Sequence, residues 1–129
     1  MKDIYIVGKI NREIFKAVTK DILTEEVIIT EERIQHIKNN HPGDYEKYFD
    51  KYAKTIIETP DYILKSDRKS TAVLLKSFEE NGVRIKLILR IKTSVDPEDF
   101  KNSILTFQYV EERRYERYAN SEKVLYKRE

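Results

Sequence analysis

At Thr59-Pro60 the hydrophobic periodicity of the chain changes from helical to strand-like, and that switch restricts the fold class more than any other feature. Before it, Tyr45, Tyr48, Phe49, Tyr52, Ala53, Ile56 and Ile57 recur at i, i+3, i+4, i+7, i+8, i+11 and i+12, the stripe of an amphipathic helix over residues 44–58. After it, apolar runs at residues 62–64, 72–75, 83–92 and 103–110 predict four strands. Asn81-Gly82 joins the second to the third and is the dipeptide favoured for a tight type I′ hairpin turn. Helices followed by an antiparallel run describe an α+β domain, with N-terminal helices packed on a four- to five-stranded antiparallel sheet.

The flanking segments fit that plan. Ile4-Tyr5-Ile6-Val7 reads as a short strand stopped by Gly8, after which Asn11 caps a helix carrying Ile14, Phe15 and Val18. Thr30 is a good N-cap with Glu31 and Glu32 in the first turn behind it, where the helix dipole favours acids, and Ile29 and Ile34 take the hydrophobic-staple positions. That helix stops near Asn40, because His41 precedes Pro42. Asp96-Pro97-Glu98-Asp99 predicts a turn or one helical turn, with Pro97 at N1 after an Asp96 cap. Residues 111–120 predict a short helix bearing Tyr115 and Tyr118, and Val124-Leu125-Tyr126 adds a further strand.

A length of 129 residues suits one domain, and the nine Tyr and five Phe are enough to rule out disorder throughout. Cysteine is absent, which excludes disulfides, thiolate zinc sites and cysteine nucleophiles and points to a reducing cytosol. No apolar run approaches the roughly 18 residues of a membrane span, and the first eight residues lack the apolar core of a signal peptide, so the expectation is a soluble, cytoplasmic protein with no membrane partner. Net charge is only +2, but the balance shifts from about −1 over residues 1–60 to about +3 over residues 61–129. The later half is the better place for a polyanion.

Within residues 83–92 the odd positions are all apolar, while Arg84, Lys86, Arg90 and Lys92 alternate with them onto one face about 7 Å apart, near the spacing of successive phosphates. A solvated sheet face has the same alternation, but it normally mixes charge signs. If Leu105 and Phe107 enter the core, Thr106 and Gln108 join the cationic face, where a hydroxyl and an amide are able to orient a phosphate. The two histidines, His36 and His41, sit around one helix end. His36 shares a polar stripe with Arg33 and Asn40, and His41 follows the last turn. They suit proton transfer near neutral pH, or else serve as a surface residue and a C-terminal cap. A zinc pair is disfavoured by their spacing and by the lack of a third His or Cys, and no HExxH, P-loop or GxSxG motif occurs.

Val27-Ile28-Ile29-Thr30, Arg33-Ile34-Gln35-His36-Ile37, His41-Pro42, Pro60-Asp61-Tyr62-Ile63, Lys101-Asn102-Ser103-Ile104-Leu105-Thr106-Phe107 and Leu125-Tyr126-Lys127-Arg128 together resemble the phage-borne nuclease domains of the barnase, EndoU, colicin and RelE-like (BECR) group, from about residue 20 to the end. The first 20 residues then read as an N-terminal strand and helix extension of a single domain. The resemblance implies an antiparallel sheet whose open face holds RNA. It also implies cleavage without metal or other cofactor, in which the ribose 2′-hydroxyl attacks the adjacent phosphate to leave a cyclic phosphate.

Carried onto this chain, the resemblance makes His36 and His41 acid or base candidates, places Thr106 and Ser103 near the phosphate, and makes Tyr126 and Arg128 terminal site residues. Arg84, Lys86, Arg90, Lys92 and Gln108 are the expected substrate contacts, with Tyr126 either protonating the leaving oxygen or stacking on a base. RNA is the expected partner, joined by an antitoxin or immunity protein if the domain is a toxin. A different class, a non-catalytic RNA- or protein-binding accessory module that keeps the fold, needs only the cationic face and exposed aromatics.

Overall fold

In the computed structural model, which describes residues 3–129, seven strands form one mixed sheet in the order β1-β2-β6-β5-β4-β3-β7. The strands are β1 (Ile4–Lys9), β2 (Glu26–Thr30), β3 (Tyr62–Lys65), β4 (Thr71–Phe78), β5 (Val83–Arg90), β6 (Asn102–Tyr109) and β7 (Val124–Lys127). The helices are α1 (Arg12–Phe15), α2 (Glu31–Asn40), α3 (Asp50–Glu58) and α4 (Glu112–Ala119). Met1 and Lys2, part of the stretch read as lacking a signal peptide, lie outside the described residues, and among those described no helix is long and apolar enough to cross a membrane.

The α+β class holds, but the sheet departs from the expectation in strand number, direction and helix placement. It has seven strands rather than four or five, and β2 runs parallel to β6 through Val27↔Asn102 and Ile28↔Ser103. The helices do not simply precede the sheet, because β1 and β2 bracket α1 and pair with each other. Val27, Ile28 and Ile29 are all buried, and a strand buried on both faces shows no alternation to distinguish it from the approach to a helix.

Local signals explain most helix ends. Thr30 Oγ1 accepts the Arg33 N–H at 3.2 Å, and the staple pair Ile29 and Ile34 is buried. The amphipathic stretch after Pro42 starts as a π-helical turn over Tyr45–Phe49 before becoming α3, a departure from the uniform helix expected. This turn packs its aromatics on β6, with Tyr48 stacked 5.7 Å from Tyr109 and Phe49 edge-on 5.0 Å from Phe107. The β4–β5 hairpin is also looser than a type I′ turn. Asn81 donates its amide to the Tyr52 hydroxyl at 2.9 Å from within a 3-10 turn, Glu79–Asn81, leaving Gly82 (φ +62°) as the loop's left-handed residue.

One face of the sheet carries the main core, in which Ile63, Leu74, Leu87 and Phe107 pack against Phe15, Ile37, Ile56 and Ile57 of the helical layer. The opposite face, expected to be open, is partly roofed. There Tyr115 of α4 is buried with Leu64, Leu75 and Val110, and Tyr118 packs at the edge of the group. In β6 a bulge leaves Leu105 without a partner, since Ile88 faces Thr106 while Leu89 faces Ile104. Ile104 and Phe107, rather than Leu105 and Phe107, therefore enter the core, and Thr106 and Gln108 keep the α4 side.

Candidate functional site

Cross-strand register builds the floor of the site. Opposed residues share a face, so Gln108, Lys86, Leu75 and Tyr62 form one row across β6, β5, β4 and β3, and Thr106, Ile88, Val73 and Leu64 form the next. Ser103 lies opposite Arg90 on the same face. Pairing of β2 with β6 ends at Ser103, which leaves the far end of β6 without a strand neighbour on that side. Asp44 replaces it, its Oδ2 accepting the Tyr109 N–H at 2.9 Å. This bond anchors the turn that begins at His41, the C-cap of α2, beside Gln108.

His41 is half-buried. Burial pushes its imidazole below the ordinary value; Asp44 opposes this, while Lys86, His36 and Arg114 add to the depression. Lys86 and Arg114 also meet at the Tyr118 hydroxyl, which accepts from Lys86 Nζ at 3.3 Å and Arg114 Nε at 3.2 Å. The Lys86 ammonium lies 5.1 Å from the Tyr118 ring centroid. Burial raises the phenol, but these two charge-assisted hydrogen bonds and the charges behind them outweigh it, and the net shift is downward. With both lone-pair directions of its oxygen engaged, Tyr118 has its own proton left to donate. The Thr106 hydroxyl, on the same floor, is buried without a partner.

The fold therefore brings together His41, Lys86, Gln108 and Thr106 among the residues singled out from sequence, and separates others. His36 is exposed one turn earlier on α2, where the Asn40 amide donates to its carbonyl oxygen at 2.8 Å and approaches Nδ1 at 3.3 Å. The four cations of residues 83–92 do not make one free surface. Arg90 is clamped by both Asp96 oxygens (2.7 and 3.1 Å) and lies 5.0 Å from the Phe100 ring centroid. Lys92, beyond the strand end, donates to the Glu98 carbonyl. Asp96 thus faces back toward Arg90 and Thr93 instead of capping a helical turn, and the Phe100 N–H closes a single turn on the Pro97 carbonyl at 3.0 Å.

Arg84 lines a cavity of about 630 Å³ on the other flank of α4, shared with Arg128, Asp61, Glu79, Glu112 and Glu116. Tyr126, opposite Ile63, packs with the main core on the helical face, away from Gln108. The Ser103 hydroxyl donates to the Lys101 carbonyl. Sequence reasoning missed Asp44, Arg114 and Tyr118. The signal for the last two is the Arg114–Tyr118 spacing of four, which stacks them on one helix face. Among the described residues no three His, Asp or Glu side chains converge as metal ligands do.

No curated protein and no solved structure matches the chain. A family model does, over residues 5–94, from β1 through β5 and the turn after it, which takes in His36, His41, Lys86 and Arg90 and stops short of Thr106, Gln108, Tyr118 and Tyr126. With that match spanning most of its length, the chain belongs to the phage-Barnase-EndoU-ColicinE5/D-RelE like nuclease 3 family.

Proposed function

We propose that the chain is an endoribonuclease that cleaves RNA through its own 2′-hydroxyl, with the reaction centred between His41 and Tyr118. The observation that supports this most is the pair Lys86 and Arg114, which hold the Tyr118 hydroxyl and add to the burial that lowers the His41 imidazole. A neutral imidazole at neutral pH is the form a general base needs. His41 takes the 2′-hydroxyl proton as the 2′-oxygen attacks phosphorus. The bond to the 5′-oxygen breaks, and Tyr118 protonates that oxygen, so the products are a 2′,3′-cyclic phosphate and a 5′-hydroxyl. Lys86 and Arg114 stabilise charge on the pentacoordinate phosphate, with Gln108 and Thr106 on the floor to orient it. Tyr118 takes the place in this scheme that the resemblance gave to Tyr126.

Incubation with RNA in excess EDTA tests the reading. Cyclic-phosphate ends in RNA, with DNA untouched, are expected. Activity that vanishes with EDTA and returns with magnesium would overturn the mechanism, and RNA binding without products would leave the non-catalytic accessory module.

A further inference from the structure

Helix α4 divides its face of the sheet into two flanks of opposite sign. On one flank Glu112, Tyr115 and Glu116, at i, i+3 and i+4, line the cavity that also holds Asp61, Glu79 and Glu129 beside Arg84 and Arg128. On the other, Arg117, Tyr118 and Ser121 line a hollow of about 340 Å³ closed by Lys65, Lys123 and Lys86, with Ser66 at its rim. Asp67 is the one acid lining that hollow. Lys65, Arg117 and Lys123 carry no ion pair among the described residues. The backbones of the two lysines are tied together, the Lys65 N–H donating to the Lys123 carbonyl at 2.8 Å where β7 joins β3. Lys86 and Tyr118 belong both to this hollow and to the proposed reaction centre, so the two are continuous.

Four cationic side chains around one small hollow, against a single carboxylate, attract a phosphate more strongly than the cavity across α4, where five acidic residues outnumber two arginines. We infer that the hollow bounded by Lys65, Lys86, Arg117 and Lys123 is a second phosphate subsite, which binds the phosphate next to the scissile one and confines the RNA backbone to the basic flank of α4. This rests on the ribonuclease reading above. The subsite makes the substrate at least a two-phosphate unit: a dinucleoside monophosphate leaves the hollow empty, whereas one carrying a terminal phosphate fills it.

The experiment compares cleavage of a dinucleoside monophosphate with that of the same molecule phosphorylated at its 5′ or its 3′ end. In parallel, equilibrium binding of the uncleavable 2′-deoxy analogues is measured at fixed ionic strength. One of the two phosphorylated forms is expected to bind and react about 10-fold or more better, mainly through KM. In Lys65→Gln/Lys123→Gln that advantage should fall to near unity, while the unphosphorylated dinucleotide is handled as by the parent protein. Melting temperature checks that the variant is folded, and Lys123→Gln alone provides a milder test.

Equal handling of all three substrates, or an advantage that survives in a folded double variant, would overturn the subsite. If no RNA is cleaved, the deoxy analogues still report on the subsite, so its failure and that of the ribonuclease reading remain distinguishable.

Discussion

Replacing Asn102 with alanine tests how the site is held together. Asn102 is fully buried, and its carboxamide joins three segments. Nδ2 donates to the Thr24 carbonyl at 2.7 Å and the Glu26 carbonyl at 2.9 Å, and Oδ1 accepts the Lys92 N–H at 2.7 Å. Because β2 and β6 pair at only two positions, this side chain supplies much of the bonding between them. Alanine leaves two carbonyls and one N–H without partners. At about 1 kcal/mol of net stabilisation for each bond the loss is about 3 kcal/mol, and it approaches about 9 kcal/mol if no water reaches the three groups. A domain of this size has about 5–15 kcal/mol in total, so even the lower figure is a large fraction. Urea unfolding should show a loss of about 3 kcal/mol or more, and thermal unfolding a fall of about 10 °C or more. A loss below about 1 kcal/mol would refute the assignment of Asn102 as the junction of β2 with β6.

The other predictions concern charge. His41→Ala should lower turnover about 100-fold or more with little change in melting temperature, and His36→Ala should do far less. Because the folded His41 pKa lies below the unfolded one, the acid limb of kcat/KM should fall below pH 6.5, and the group's share of stability should be lost as pH drops below 6.5 toward that folded value. Lys86→Gln should reduce the salt slope of single-stranded RNA binding by about 0.7, whereas Arg90→Gln should leave the slope and lower the melting temperature, since Arg90 is committed to Asp96. Hydrogen bonds from Arg90 and then Thr93 hold the Asp96 carboxyl down at about 2, from an ordinary 3.8, so this contribution is present above pH 3.8 and is lost as pH falls toward 2; Asp96→Asn should remove that part of the acid transition.

What was legible in the sequence was whatever leaves a periodic or local mark. The alternation along β5 placed Val83, Ile85, Leu87 and Leu89 in the core, and the Thr30 cap with its staple marked the start of α2. β2 was not legible, since three consecutive buried residues have no period and its parallel partner lies some 75 residues away. The site was half legible. Alternation puts Lys86 on the polar face but does not say that Arg90 on that face meets Asp96 in the following loop. The sequence likewise does not show that α4 folds back over the sheet to bring Arg114 and Tyr118 to Lys86. The first fact depends on how a six-residue loop closes, and the second on tertiary packing, since Lys86 and Tyr118 lie 32 residues apart.

The unpaired residue in β6 bears on which changes of length the sheet tolerates. Every strand position obeys an even-odd rule, and removing one residue from a regular strand inverts the facing of everything on one side of the gap. Leu105 is an exception, as are Val7 in β1 and Leu125 in β7. Ile104 already faces Leu89 and Thr106 already faces Ile88, so excising Leu105 joins two residues whose partners are themselves adjacent. Ser103, Thr106 and Gln108 would stay on the side of α4, and Ile104 and Phe107 would stay in the core. A one-residue deletion is therefore compatible with the site at this point of β6, while the same deletion at Thr106 or Phe107 would close the bulge by setting Leu105 opposite Ile88, in place of the Thr106 hydroxyl.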